Sequence, residues 1–282
     1  MIELFYREIY LIKFIFDMFI IFQKLFLIFQ KLFLKKSFCK ETNNHSKSSL
    51  LATHQRSSIA FTKGRGAYLY SDKNEKYLDF CAGIAVNAFG HCPRFVNKAL
   101  FKQAKKLWHV SNLYTINEAE DFAKMITKKT FAKKVFFANS GAEAMEAVIK
   151  IIRRYHYINN NPHKNRIITF AGSFHGRTIA TVCAAGNLKY MEGFAPHLDG
   201  FDNIEYGDIE TVKKAITKNT AGIIIEPIQG EGGVNFSGFE FLKDLRELCD
   251  KHNILLALDE VQCGNSRTGK LFAYQHANII PD

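Results

Sequence analysis

The chain has 282 residues, 47% of them hydrophobic, and a formal net charge of +11 at pH 7. This length suffices for one large or two modest domains with a buried core. The charge does not indicate a nucleic-acid-binding protein, because it is spread out and its lysine pairs are typical of solvated helix faces. The six cysteines form no CxxC pair and no repeated spacing. We therefore expect reduced thiols, no metal site and a cytoplasmic protein.

The first 50 residues differ from the rest of the chain. Residues 1–38 are rich in Phe, Ile, Leu and Lys, and Ile21–Leu27 recurs as Ile28–Leu34. A helix here would be apolar around most of its circumference and would favour a membrane surface or a partner. No uncharged run approaches the roughly 18 to 20 residues that a spanning helix needs. We favour a translated stretch without function over a membrane-surface anchor, followed by a polar linker at residues 40–50.

From about residue 51 the sequence is typical of a folded protein. Residues 64–80 predict a β-hairpin with its turn at Ser71–Asn74. Two helices are predicted next, near Val96–Leu107 and Ala119–Thr130. Beyond them strands alternate with helices, which predicts a parallel α/β sheet with both faces covered. The predicted strands are Lys134–Ala138, Arg166–Phe170, Gly222–Glu226 and Leu255–Leu258, and the predicted helices are Ala142–Ile158, Ile209–Ile216 and Phe239–His252.

A turn of small residues, Ser140-Gly141-Ala142, joins the first of these strands to the first of these helices. Its backbone N–H groups and the positive end of the helix dipole can receive a phosphate. Such a turn is also common where packing is merely tight, and no Lys-Ser/Thr pair completes a nucleotide P-loop. Both interpretations stay open.

Asp259 follows the apolar run Ile254–Leu258, so its carboxylate is expected at the carboxyl edge of the sheet, where ligands bind. A charge in this position is costly unless it is paired. A pyridinium nitrogen would pair with it, and the protonated ring would then withdraw electrons from a bond being broken. A helix cap, a structural salt bridge and a metal-binding acidic pair with Glu260 are the alternatives.

Two further loops carry polar groups. In Ser173–Thr178, Phe174 offers a face for stacking on a ring, and His175 and Arg177 lie beside it. Arg177 suits a substrate carboxylate because its guanidinium binds bidentately, although a lone Arg in such a loop can also be a plain surface residue. In the loop Pro227–Gly233, Glu231 is placed to face a substrate amine or to close on an arginine.

Taken in order, these motifs resemble the class III pyridoxal-phosphate aminotransferases, and within them the subgroup that acts on N-acetylornithine. The resemblance covers about residues 51–282 and also includes Ala82–His91, Trp108–Tyr114 and Cys263–Ala273. It implies an α/β fold, the fold-type I pyridoxal-phosphate transferase large domain with a mostly parallel sheet and helices on both faces, incomplete here, together with part of the small domain. The expected domains are an extension and linker at 1–50, a segment of the small domain at 51–105 and a truncated cofactor-binding large domain at 106–282.

The resemblance also implies roles for single residues around pyridoxal 5'-phosphate. Arg177 resembles the residue that binds the substrate carboxylate. Glu231 resembles the gating glutamate that lets one site take both a diamine-derived donor and 2-oxoglutarate. The implied cofactor contacts are with the phosphate at Gly141 and Ala142, stacking on the ring by Phe174, pairing with the ring nitrogen by Asp259, packing by Val261 and a hydrogen bond to the phenolic oxygen from Gln262.

The implied activity is transfer of the terminal amino group of N-acetylornithine to 2-oxoglutarate, as in arginine biosynthesis, by a homodimer. Ornithine and 4-aminobutyrate are neighbouring donors. The resemblance places the Schiff-base lysine about half a dozen residues beyond Asp282, so no catalytic lysine is expected within the sequence, and Lys270 matches a different family position. An inactive remnant or a non-catalytic fragment is therefore the alternative of another class. Met145 also departs from the subgroup, which usually has Asn there.

Overall fold

The computed structural model describes residues 49–51 and 53–282. Contacts within the described chain form two compact units, one ending at Lys134 and the other running from Val135 to Asp282. The two hypotheses for the amino-terminal extension, a stretch without function and a membrane-surface anchor, concern residues 1–38, outside the described part. The expected domain boundary between residues 105 and 106 stays a prediction.

The first unit begins with an antiparallel sheet of three strands in the order β1–β2–β3. The strands are β1 (Phe61–Arg65), β2 (Tyr68–Ser71) and β3 (Lys76–Leu78). Strands β2 and β3 form the predicted hairpin, with Tyr68 opposite Leu78. Strand β1 was not predicted. It pairs with β2 across a tight turn at Gly66, whose φ of 59° is a conformation that glycine adopts without strain.

Three helical segments follow in this unit: α1 (Ala82–Ala85), α2 (Arg94–Ala104) and α3 (Asn117–Lys129). Segment α1 is a single turn whose residues have positive φ, so it is left-handed. Helix α2 begins after Pro93, whose ring fixes a φ of −64°. Helices α2 and α3 are the two that the sequence predicted, each displaced by one to three residues at its ends. Helix α3 has acidic residues in its first turn and lysines in its last, which complements the helix dipole.

The second unit is built on a parallel sheet in the order β5–β4–β6–β7. Its strands are β4 (Arg166–Phe170), β5 (Phe201–Ile204), β6 (Thr220–Ile225) and β7 (Leu255–Leu258). The predicted parallel α/β class is confirmed. The edge strand β5 was not predicted, because two of its four residues are polar and it has no apolar run.

The helices of this unit are α4 (Gly141–Ile158), α5 (Ile179–Ala185), α6 (Leu188–Met191), α7 (Ile209–Ala215), α8 (Phe239–His252) and α9 (Tyr274–Ala277). Ser140 caps α4 by accepting a hydrogen bond from the Glu143 N–H at 3.2 Å. Thr178 and Thr181 form a reciprocal capping box at the start of α5. The sequence predicted α4, α7 and α8 but missed α5, α6 and α9.

Both faces of the parallel sheet are covered, because successive residues of a strand point to opposite sides. Ile168, Ile223 and Leu256 lie on one face and pack with apolar residues of α7, α8 and α9. Ile167 and Ile224 lie on the other face and pack with α4 and with Ala180 of α5. The core of the unit therefore consists of two apolar layers separated by the sheet.

The prediction of a strand at Lys134–Ala138 is wrong. These residues adopt no regular secondary structure, and they pair with no strand of the described chain. A strand is stabilised by a neighbouring ladder and by burial of its side chains. Here Phe136 and Phe137 are 69% and 51% exposed, so the apolar pattern is present while the burial is not.

Two further structural findings concern the described residues. None of their helices combines the length and the apolar character needed to cross a bilayer. Nor do they contain a group of three or more His, Cys, Asp or Glu side chains arranged to hold a metal ion.

Candidate active site

Three loops meet at the carboxyl edge of the parallel sheet, where such folds bind ligands. They follow β4, β6 and β7, and hydrogen bonds join them. The backbone N–H of Phe174 donates to Oε2 of Glu226 at 2.9 Å, and Nδ1 of His175 donates to Oδ2 of Asp259 at 2.8 Å. The Asp259 N–H continues the ladder by donating to the Ile225 carbonyl at 2.8 Å. Residues far apart in the sequence thus form one polar cluster.

Asp259 and His175 form a buried pair, with residue exposures of 6% and 2%. The second carboxylate oxygen of Asp259 accepts the Val261 N–H at 3.1 Å. Nε2 of His175 is buried and has no hydrogen-bond partner among the described residues. Leaving a buried polar atom unpaired costs about 1–3 kcal/mol. Because native structures rarely keep such an atom without a purpose, it indicates a site that takes a polar ligand.

Glu226 is a second buried acid at this edge, and the sequence-based prediction gave it no role. Burial raises the pKa of Glu226 to about 8, and the nearby charges of Asp259 and Glu231 act in the same direction. The hydrogen bonds from backbone N–H groups of Phe174 and Gly230 oppose this shift. Glu226 is therefore mostly protonated at neutral pH. Its position immediately after a buried strand was the signal that could have identified it.

The turn at the start of α4 is both closely packed and open to a ligand. A Cβ added to Gly141 would lie 3.0 Å from both γ-carbons of Val261, and one added to Gly176 would lie 2.6 Å from the Cβ of Ala142. Within the described residues, the backbone N–H groups of Gly141 and Ala142 donate no hydrogen bond. The first N–H groups of a helix have no partner within it, and they bind anions readily.

Arg177 lies on aromatic rings rather than in an ion pair. Its Cζ is 3.8 Å from the ring centre of Tyr190 and 5.3 Å from that of Phe174. The Tyr190 hydroxyl donates to Oε1 of Glu231 at 3.1 Å. Tyr190 thus joins the two residues proposed from the sequence for substrate binding, although no sequence signal had marked it. A cavity of about 220 Å³ opens beside Arg177 and Tyr190, and its other walls are largely apolar.

The two acids after β7 have different environments. Glu260 accepts hydrogen bonds from the backbone N–H groups of Ala273 and Tyr274, and it thereby caps α9. Burial raises the pKa of Glu260. Of the alternatives that the sequence analysis gave for this acidic pair, the helix cap applies to Glu260. Asp259 instead pairs with His175.

The remaining predicted residues border this cluster or belong to the core. Val261 is 64% exposed and touches the α4 turn at Gly141. The exposed Gln262 packs beside Gly230, where an added Cβ would lie 3.3 Å from the Gln262 Cγ. Met145, which departs from the expected pattern, is buried in the apolar layer between α4 and the sheet.

Comparison with known proteins gives a consistent family. Residues 51–282 match the family described as Aminotransferase class-III. The acetylornithine aminotransferase of Agrobacterium fabrum is 53% identical over 233 residues, which cover 83% of this chain and 58% of that protein.

Two crystal structures are also similar. The ornithine aminotransferase of Toxoplasma gondii ME49 has a TM-score of 0.79 and 32% identity, over 82% of this chain and 56% of that one. The N-acetylornithine aminotransferase of Stenotrophomonas maltophilia K279a has a TM-score of 0.69 and 38% identity, over 80% and 57%. The chain thus spans between 56% and 58% of the length of these three proteins.

Proposed function

The chain belongs to the class-III aminotransferase family, and from that premise we propose that its protein transfers the terminal amino group of N-acetylornithine to 2-oxoglutarate. The observation that carries the proposal is the cluster at the carboxyl edge of the sheet, where a buried carboxylate, two open helix amides and a stacked arginine converge. The choice of donor is supported by the 53% identity to an acetylornithine aminotransferase.

Pyridoxal phosphate is the cofactor of this family, and the donor set at the site fits it. The buried Asp259 carboxylate suits a protonated ring nitrogen, and the amides of Gly141 and Ala142 suit a phosphate. When bound, the cofactor supplies an electron-withdrawing ring. Phe174 would stack on that ring, Val261 would pack against it, and Gln262 would hydrogen-bond its phenolic oxygen.

The residues of the chain have separable tasks in this proposal. His175 donates to Asp259 and keeps the carboxylate oriented, so that Asp259 holds a proton at the ring nitrogen. Protonated Glu226 accepts the Phe174 N–H and keeps that loop in place without adding a second charge beside Asp259. Arg177 binds a carboxylate of either substrate, and Glu231 faces the cationic part of the donor.

We also propose a homodimer in the cytoplasm that acts on small molecules. The cytoplasmic part is supported by the sequence spacing of the cysteines, which contains no CxxC pair and no repeated spacing typical of a disulfide framework. The homodimer rests on the family resemblance.

The proposed function is tested with protein expressed from its complete reading frame. We expect pyridoxal phosphate to bind, and kcat/KM with 2-oxoglutarate to be highest for N-acetylornithine, followed by ornithine and 4-aminobutyrate. Asp259→Asn should weaken cofactor binding at least about tenfold, because it removes the charge that pairs with the ring nitrogen. Asp250→Asn, at a mostly exposed position on α8, is the matched control.

The alternatives predict different results in the same assays. A preference for ornithine or 4-aminobutyrate would keep the family chemistry and change the donor. Cofactor binding that is absent or equal in wild type and Asp259→Asn would contradict the proposed site and favour a non-catalytic protein.

A further inference from the structure

Tyr190 occupies a position between two loops that approach from different parts of the chain. It lies on the short helix α6, its ring packs on Arg177 from the loop before α5, and its hydroxyl reaches Glu231 from the loop after β6. The inference below rests on the proposed function, in which Arg177 and Glu231 contact the substrates. It concerns the effect of Tyr190 on the positions of the Arg177 and Glu231 side chains.

The opposite charges of Arg177 and Glu231 do not pair with each other. Within the described part of the chain, the guanidinium of Arg177 has no ion pair and no hydrogen bond, and the Glu231 carboxylate accepts a hydrogen bond from the Tyr190 hydroxyl. Stacking on a ring uses the flat face of a guanidinium. Its N–H donors, which lie in the plane, stay available for bidentate contact with a carboxylate.

Without this hydrogen bond, the Glu231 carboxylate would compete with the substrate carboxylate for the N–H groups of Arg177. Both side chains are long and exposed, both contact the same tyrosine, and their unlike charges attract each other at this range. An internal Arg177–Glu231 ion pair would have to break before a substrate carboxylate could bind. The hydrogen bond from Tyr190 ties the carboxylate to the phenolic oxygen instead, at the end of the ring remote from its own backbone.

We propose that Tyr190 is a positioning residue that holds Glu231 away from Arg177 and so keeps the guanidinium free for a substrate carboxylate. The ring supports Arg177 and the hydroxyl restrains Glu231, so the two functions belong to different atoms of one side chain. This division makes them separable by substitution.

Tyr190→Phe removes the hydroxyl and leaves the ring. We expect the Kd for glutarate, an unreactive dicarboxylate, to rise about fivefold in isothermal titration calorimetry, which is the scale of one exposed ion pair that must break before glutarate binds. KM for 2-oxoglutarate should rise in parallel, while kcat changes less, because the defect lies in ground-state binding. Tyr190→Leu, which also removes the ring, should weaken glutarate binding further.

The decisive measurement is a double-mutant cycle. Glu231→Gln cannot form an ion pair, so adding it to Tyr190→Phe should return the glutarate Kd to within about 1.5-fold of the wild-type value. A general loss of local structure would not be repaired by a second substitution. In the Tyr190→Leu background the same addition should give only partial recovery, because the ring beneath Arg177 is still missing.

Tyr157 supplies the matched control, because it also carries an arginine over its ring, Arg154 at 5.3 Å, on the exposed side of α4. Tyr157→Phe and Tyr157→Leu should leave the glutarate Kd unchanged. An unchanged Kd in Tyr190→Phe would overturn the inference, and so would a raised Kd that Glu231→Gln fails to restore.

The same data separate this inference from the proposed function. If the wild type binds glutarate but transfers no amino group, the proposed function fails, and the glutarate cycle still decides the role of Tyr190. If the wild type does not bind glutarate at all, or Arg177→Ala binds it equally well, both are overturned.

Discussion

Among the single residues of the site, two acids are buried: Glu226 after β6 and Asp259 after β7. Asp259 has a histidine donor, whereas Glu226 has only backbone N–H donors, so burial dominates and raises the pKa of Glu226 to about 8. One proton on Glu226 removes the repulsion between the two carboxylates. This charge state depends on what surrounds the side chain, and the residue type alone does not reveal it.

The raised pKa predicts a pH dependence of stability. Between its ordinary value of 4.5 and about 8, Glu226 keeps a proton in the folded protein that it has lost in the unfolded chain. The folded state therefore binds more protons, and the free energy of unfolding falls as pH rises across this window, by at most about 1.4 kcal/mol per pH unit. The stabilisation that comes from the Glu226 proton is complete below pH 4.5 and is lost above about pH 8.

Glu226→Gln removes the titration while keeping an acceptor for the Phe174 N–H. We expect the free energy of unfolding, measured in urea at pH 5, 6.5 and 8, to depend less steeply on pH in this variant than in the wild type. The exposed Glu192→Gln should follow the wild-type curve. Parallel curves for wild type and Glu226→Gln would contradict the assignment.

At the scale of elements, the start of α4 is positioned by the loop after β4. Gly176 has a φ of 130°, and its α-carbon faces Ala142 so closely that a methyl group there would lie 2.6 Å from the Ala142 Cβ. The glycine thus permits both the backbone conformation and the contact between loop and helix. A larger residue must move the helix start or the loop.

Gly176→Ala should therefore lower the free energy of unfolding by about 3 kcal/mol or more, combining backbone strain with overpacking. Gly269→Ala is the control, because Gly269 also has a positive φ, 92°, but has no heavy atom within 4 Å of an added Cβ. That variant should lose only about 1 kcal/mol. Equal losses in chemical denaturation would show that the contact with Ala142 carries no cost.

Elements with strong local patterns were predictable, and those without were not. Strands β4 and β7 and helix α8 have the predicted bounds, because the two strands are short, mainly apolar segments and the helix has apolar residues at helical spacing. The strand predicted at Lys134–Ala138 has the same kind of run but no partner strand in the described chain. Periodicity reports a preference, whereas a strand also needs a neighbour.

At the scale of the whole second unit, the buried apolar side chains are divided between two layers, one on each face of the sheet. Ile223 and Ile224 are adjacent in β6, both fully buried, and they belong to opposite layers. Ile223→Ala and Ile224→Ala should each lower the free energy of unfolding by about 2–5 kcal/mol, since each leaves a cavity in a packed layer. Ile151→Ala, at an exposed position of α4, should cost much less. Tolerance of either β6 substitution would mean that one face is not packed.

The sequence by itself determined the α/β class, the order of the main strands and helices, the family and the loops that carry polar residues. These depend on periodicity and on motifs of neighbouring residues, which are written locally in the chain. Only the tertiary structure decided that Tyr190 lies between Arg177 and Glu231, that His175 pairs with Asp259, and that Glu226 keeps its proton. Each of these depends on groups distant in sequence, because contact, burial and charge interaction act through space.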